Sequence, residues 1–236
     1  MHNELQGRWP NVGLVARAPE PLVHLVRQAA GEPDGALILL HGRGADEHDL
    51  VSLLDVFDPE RRLVGVTPGA PLPGPGGAGG RWWYMVPRVG YPDPRTFHAT
   101  YAQLTGFLDD WLEERGIPWT RTVLGGFSMG CVMSYATALG PGRPSPAGVL
   151  ALSGFIPTVE GWDAELDTRA ALPVFVAHGA RDPVIAVDFA RDARALLEAA
   201  GVAVEYHEHE GGHHLDPRTL PLMTEWLAAR RASFRS

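Results

Sequence analysis

The chain has 236 residues, 45% of them hydrophobic and 20% charged, which suits one globular α/β domain with a large core. A formal charge of −8 without runs of like sign argues against nucleic acid as a partner, and a single cysteine, Cys131, excludes an intrachain disulfide. No apolar stretch nears the roughly 20 residues of a membrane helix, and the start MHNELQGRWPNVG lacks a basic run before an apolar one, so the expectation is a cytoplasmic protein without stable membrane insertion.

Residues 1–20 read as an N-terminal extension. PLVHLVRQ (21–28) alternates like a half-exposed edge strand, and GALILLHG (35–42) and RRLVGVTPG (61–69) are continuous apolar runs that suit strands buried on both faces. Residues 68–94, PGAPLPGPGGAGGRWWYMVPRVGYPDP, form a Gly/Pro-rich loop with three consecutive aromatic residues, the kind of long loop that shapes a pocket. A helix follows over 95–116, with Gly116 as its stop. Strand RTVLGGFS (121–128) leads into helix MGCVMSYATALG (129–140). Next come strands AGVLALSG (147–154) and PVFVAHGA (173–180), a helix over 187–201, a last strand AVEYHEH (203–209) and a helix over 220–231. This alternation predicts an α/β fold with a mostly parallel central sheet and helices on both faces. No repeat and no linker divides it, so the whole of 1–236 reads as one domain.

GGFSMG sets Ser128 in a GxSxG pattern at a strand-to-helix junction. Small residues at ±2 let strand and helix approach while the serine is raised on a strained turn, and the helix start offers free N–H groups to an oxyanion. The competing reading is a glycine-rich packing turn. A serine needs a base and the base an orienting acid. Asp182, in HGARDPV just after a buried strand, stands at the sheet edge where open α/β sheets place their sites. Its alternative role is a turn aspartate before Pro183. The base must come from HEHEGGHH (207–214). His213 and His214 sit in a turn past the last strand, while His207 and His209 read as solvated strand residues. A metal site built on His207 and His209 is the rival reading, but HEHEG is not HExxH and no second ligand cluster stands out. The loop LLHGRGADEHDL (39–50) supplies a second oxyanion donor, so the backbone N–H groups of Arg43 and Met129 form the expected pair. His41, at a strand end, reads as a structural hydrogen-bonding residue. Trp83, Tyr84, Phe127, Phe155 and Ile156 are the candidate substrate-pocket walls, with core packing as their alternative role.

With these motifs in this order, the sequence from about residue 22 to 230 resembles the α/β-hydrolase superfamily, and within it the phospholipase/carboxylesterase group that includes acyl-protein thioesterases. LHGRG, RWWYM, GGFSMG, LSGFIP, HGARDPVI and GGHHL carry the resemblance. It implies His213 as the catalytic histidine, with His214 its variable neighbour. Many members have Gln after the nucleophile where this chain has Met129, which leaves the backbone donor intact. The implied function is a serine carboxylesterase, using Ser128, His213 and Asp182 on a small-molecule ester, with no metal and no cofactor. An acyl thioesterase or lysophospholipase would use the same triad. A non-catalytic binding module, a metallohydrolase, and a peptidase, acyltransferase or lactone hydrolase are more distant alternatives. An exposed first strand or apolar loop would offer a homodimer its surface.

Overall fold

A computed structural model describes residues 21–74 and 79–235; the extension read over 1–20 lies outside the described residues. Among those described, no helix is long and apolar enough to cross a membrane.

Seven strands form one sheet. β1 (His24–Arg27) lies at one edge, antiparallel to β3 (Leu63–Pro68); β3 is parallel to β2 (Gly35–Leu40), and β2 to β6 (Thr122–Phe127). Beyond β6 follow β7 (Gly148–Leu152), β8 (Val174–Gly179) and β9 (Val204–His209), all parallel. Each apolar run of the sequence is one of these strands, because a strand covered on both faces must be apolar at successive positions. In β2, Ala36, Ile38 and Leu40 join one core while Leu37 and Leu39 join the other.

Helices α2 (Pro94–Glu113), α3 (Met129–Leu139) and α4 (Asp188–Ala199) supply the first of these cores. The second is closed by α1 (Leu53–Phe57) and α5 (Leu220–Ala232), through Leu54, Phe57, Met223, Trp226 and Leu227. Asp93 caps α2 by accepting the Thr96 amide at 2.9 Å, with Pro94 in the first turn, where its missing N–H costs nothing. The helix ends at Glu113, short of the stop expected at Gly116. Two features depart from the sequence reading. α1 is five residues long, too short to show a helical period. The loop over 68–94 contains a small antiparallel pair, β4 (Leu72–Pro73) with β5 (Arg81–Trp82).

The chain passes from β2 outward to β3 and then returns to β6 on the other side of β2. Connections therefore diverge at the β2/β6 boundary, opening a crevice at the C-terminal ends of these strands. The loop after β2 and the turn after β6 are the two segments that hold Arg43 and Ser128.

Candidate active site

Ser128 has φ 55° and ψ −116°, a conformation that an L-residue occupies only when its surroundings impose it. Its N–H donates to the Leu152 carbonyl at 2.9 Å, and its own carbonyl accepts from Val132 at 3.2 Å, which ties the turn to β7 and to α3. Glycine at 126 and 130 is required by close approach. A Cβ on Gly130 would overlap the Leu40 carbonyl of β2, and one on Gly126 would meet the Gly130 backbone. The turn thus lifts the hydroxyl over the sheet edge with α3 packed directly against two strands.

His213 follows β9 and reaches back to the same edge. Its Nε2 lies 2.8 Å from Ser128 Oγ, and its Nδ1 2.6 Å from Asp182 Oδ2. A carboxylate only accepts, so Nδ1 carries the proton and Nε2 receives the serine hydroxyl's. Asp182 Oδ1 accepts the Val184 and Ile185 amides at 2.8 and 2.9 Å. Burial pushes this carboxyl's pKa up, but the hydrogen bonds from His213, Ile185 and Val184 outweigh that and hold it below the usual carboxylate value. His178, fully buried, donates from Nε2 to the Ile185 carbonyl at 2.8 Å and lies 3.4 Å from Asp182 Oδ2. Burial lowers its pKa, so it stands beside the carboxylate as a neutral ring. The sequence reading passed over His178; its place at the end of β8, four residues before Asp182, was the available signal.

The loop after β2 runs alongside. Met129 opens α3, so its amide has no intrahelical acceptor and faces the helix's positive end. Among the described residues, the Arg43 amide pairs with no backbone carbonyl. His41 is buried, donates from Nδ1 to the Gly42 carbonyl at 2.7 Å and accepts the Ala70 amide at Nε2 at 3.0 Å, the structural role expected of it.

The candidate walls separate into different places. Tyr84 and Phe155 line a pocket of about 40 Å³ that contains Ser128, Met129 and Arg43. Trp83 does not: it is fully buried, with its indole N–H donated to the His41 carbonyl at 2.9 Å and its amide to Met129 Sδ at 3.2 Å. Phe127 packs its ring 4.9 Å from the His213 imidazole and props that ring rather than facing this pocket. Ile156 faces a separate cavity of about 410 Å³, with Trp162, Phe189 and Leu196, on the far side of Phe155. Val86, Arg88, Val89, Val184 and Ile185 complete the Ser128 pocket and were not foreseen. Val184 and Ile185 directly follow the Asp182 turn, which was a usable signal; the 86–89 stretch carries no periodicity to betray it.

HEHEGGHH also divides differently from expectation. His209 is buried rather than solvated: its Nδ1 accepts the Gly211 amide at 3.2 Å and lies 3.8 Å from Asp216. His207 stacks on Phe175 at 4.9 Å and contacts Glu205 at 2.9 Å. His214 is exposed beside His209. Among the described residues, the group of three acidic and histidine ligand atoms that all lie within 4.8 Å of one another is that of Asp46, Glu47 and His48.

Comparison with known proteins shows the family and the fold. The phospholipase/carboxylesterase family model matches residues 23–230. Acyl-protein thioesterase 1 of Debaryomyces hansenii is 30% identical over 218 residues, spanning 82% of this chain and 90% of that protein. Among solved structures, the Bacillus cereus carboxylesterase superposes with a TM-score of 0.78 at 21% identity, covering 90% of this chain and 96% of that one. Esterase PE8 does so with a TM-score of 0.74 at 26% identity, covering 89% and 99%. The chain belongs to the phospholipase/carboxylesterase family of α/β hydrolases.

Proposed function

We propose that this chain is a serine carboxylesterase acting on small esters of short to medium acyl chain through an acyl-enzyme. The observation that carries the reading is the unbroken relay from Ser128 Oγ through His213 to Asp182, with contacts of 2.8 and 2.6 Å. Ser128 Oγ attacks the ester carbonyl as its proton passes to His213 Nε2. Asp182 holds the Nδ1–H tautomer and stabilises the imidazolium that forms. The amides of Arg43 and Met129 donate to the tetrahedral oxyanion. His213 then protonates the leaving alkoxide, the C–O bond breaks, and the acyl group remains on Ser128. Water enters, gives a proton to the same nitrogen, attacks the acyl carbonyl and releases the acid as Oγ regains its proton.

The chemistry needs no metal or organic cofactor. The single buried thiol, Cys131, suits a reducing cytoplasmic setting. Similarity to an acyl-protein thioesterase favours a second reading, in which the same relay cleaves acyl thioesters. Rates on matched oxygen and sulfur esters distinguish the two.

The direct test is labelling with a fluorophosphonate followed by mass mapping of the modified residue, expected at Ser128. Turnover of p-nitrophenyl butyrate by Ser128→Ala at the wild-type rate would sink the serine mechanism.

A further inference from the structure

The pocket at Ser128 carries two cations that the relay does not use. Arg43 and Arg88 both line it, among Val86, Val89, Val184 and Phe155. Several other arginines are paired with carboxylates: Arg81 lies 3.4 Å from Glu47, Arg143 2.6 Å from Asp109 and Arg191 2.8 Å from Glu208. Among the described residues, neither Arg43 nor Arg88 has a carboxylate partner or a side-chain hydrogen bond; each has an aromatic ring instead. The Arg43 guanidinium carbon lies 5.2 Å from the Trp82 ring centroid, and that of Arg88 3.7 Å from the Tyr91 centroid. A guanidinium resting its face on a ring keeps its N–H edge open for an oxyanion.

This arrangement opposes the formal charge of the chain as a whole, which is −8. Two exposed, unneutralised arginines at the mouth of an apolar pocket concentrate positive potential where substrate enters, and a planar fork of N–H donors suits a carboxylate or a phosphate. The pocket itself, about 40 Å³ and walled by valines and Phe155, accepts a short apolar group and leaves the anion outside, at the two guanidinium groups. Arg43 links the two ends of such a substrate, because its amide is the proposed oxyanion donor while its side chain reaches outward.

Resting on the esterase reading, we infer that the preferred substrates are short esters bearing an anionic group, carboxylate or phosphate, a few bonds from the reacting carbonyl. Arg43 and Arg88 are then the residues that select them.

The test compares four esters by pH-stat at low ionic strength: ethyl butyrate, monoethyl glutarate, O-butyrylglycolate and butyrylglycerol phosphate. The first is neutral; the second carries its carboxylate on the acyl side, the third on the alcohol side, and the fourth carries a phosphate. At least one anionic ester should exceed ethyl butyrate in kcat/KM by about fivefold or more, within the range that charge steering supplies. Whichever ester leads identifies the anion and its side. The double variant Arg43→Gln/Arg88→Gln should bring that ratio to about one, and added salt should lower it in the wild type. Because each ratio is taken on one protein sample, partial unfolding of the variant cancels. A wild-type ratio below fivefold for all three anions overturns the inference, as does a preference that survives in the double variant. Those outcomes leave Ser128-dependent hydrolysis of ethyl butyrate intact, whereas failure of the esterase reading would appear as loss of that dependence.

Discussion

Asp182→Asn isolates what the carboxylate does. Asp182 Oδ1 accepts two amides, from Val184 and Ile185 at 2.8 and 2.9 Å, while Oδ2 faces His213 Nδ1 at 2.6 Å. An asparagine has one acceptor oxygen to distribute between these positions. With the oxygen toward His213, its NH2 group would meet two buried N–H donors, leaving them unpaired at about 1–3 kcal/mol each. With the oxygen toward the amides, the NH2 group points at His213 and demands an acceptor at Nδ1. The second arrangement wins, because moving the proton from Nδ1 to Nε2 disturbs less than two orphaned amides. The imidazole then presents Nε2–H to Ser128 Oγ, and a donor cannot take the serine's proton. A comparable tautomer reversal in serine proteases lowers kcat about 10,000-fold, equivalent to about 5.5 kcal/mol of transition-state stabilisation. The assay is kcat on p-nitrophenyl butyrate at neutral pH, with thermal unfolding to show that the variant is folded. A folded Asp182→Asn enzyme retaining more than about a tenth of wild-type kcat would refute the tautomer argument.

Gly130→Ala should cost at least about 3 kcal/mol in urea unfolding, because its Cβ would overlap the Leu40 carbonyl and neither the β2 nor the α3 backbone can retreat. His213→Ala should lower kcat by at least about 1,000-fold, whereas His214→Ala, at an exposed ring outside the relay, should leave most of it; equal losses would mean that the relay is misassigned. Trp83→Phe removes the donor to the buried His41 carbonyl and should lower stability by about 1–3 kcal/mol in the same unfolding assay. Burial lowers the pKa of His41 and His178 below the ordinary 6.5, against the opposing pull of the Gly42 and Ile185 carbonyls. Below 6.5 the unfolded chain therefore binds protons that the folded one refuses, so stability is complete above that pH and falls as pH drops through it; an unchanged urea midpoint between about pH 7 and pH 5 would contradict this.

The parts of the structure legible in the sequence are those where the backbone leaves few choices. Buried parallel strands must be continuously apolar, so GALILL, TVLGGF and VFVAHG announce themselves, and a serine turn packed against a helix must have small residues at 126 and 130. Asp182 and the His213 turn could be proposed because they directly follow strands that end at one sheet edge. Pocket walls are different. Phe155 and Ile156 are apolar neighbours that both line the larger cavity, yet Phe155 alone of the two also reaches the Ser128 pocket, and only the path of the chain decides which. His209 shows the same limit, since strand alternation assigns it a face but not what covers that face; Asp216 and the 211–214 turn do so here.

Trp83 best explains why the site keeps its shape. Its indole N–H holds the carbonyl of His41, which precedes the Arg43 loop, and its amide holds the sulfur of Met129 at the start of α3. One residue thus bridges the two segments whose amides are the proposed oxyanion donors. Two residues earlier, Arg81 donates its amide to the Ala45 carbonyl at 2.8 Å and accepts from Gly44 at 3.0 Å, fixing the far side of the same loop. His41 closes the arrangement, its ring joining Gly42 to Ala70 through 2.7 and 3.0 Å hydrogen bonds. The loop after β2 is thereby held from its carbonyl, ring and outer-strand sides. Donors aimed at a developing oxyanion are effective only if they need not reorganise when charge appears. The Gly/Pro-rich segment that looked like a pocket loop contributes its pocket surface at 84–89, while 81–83 acts as the brace behind the donors.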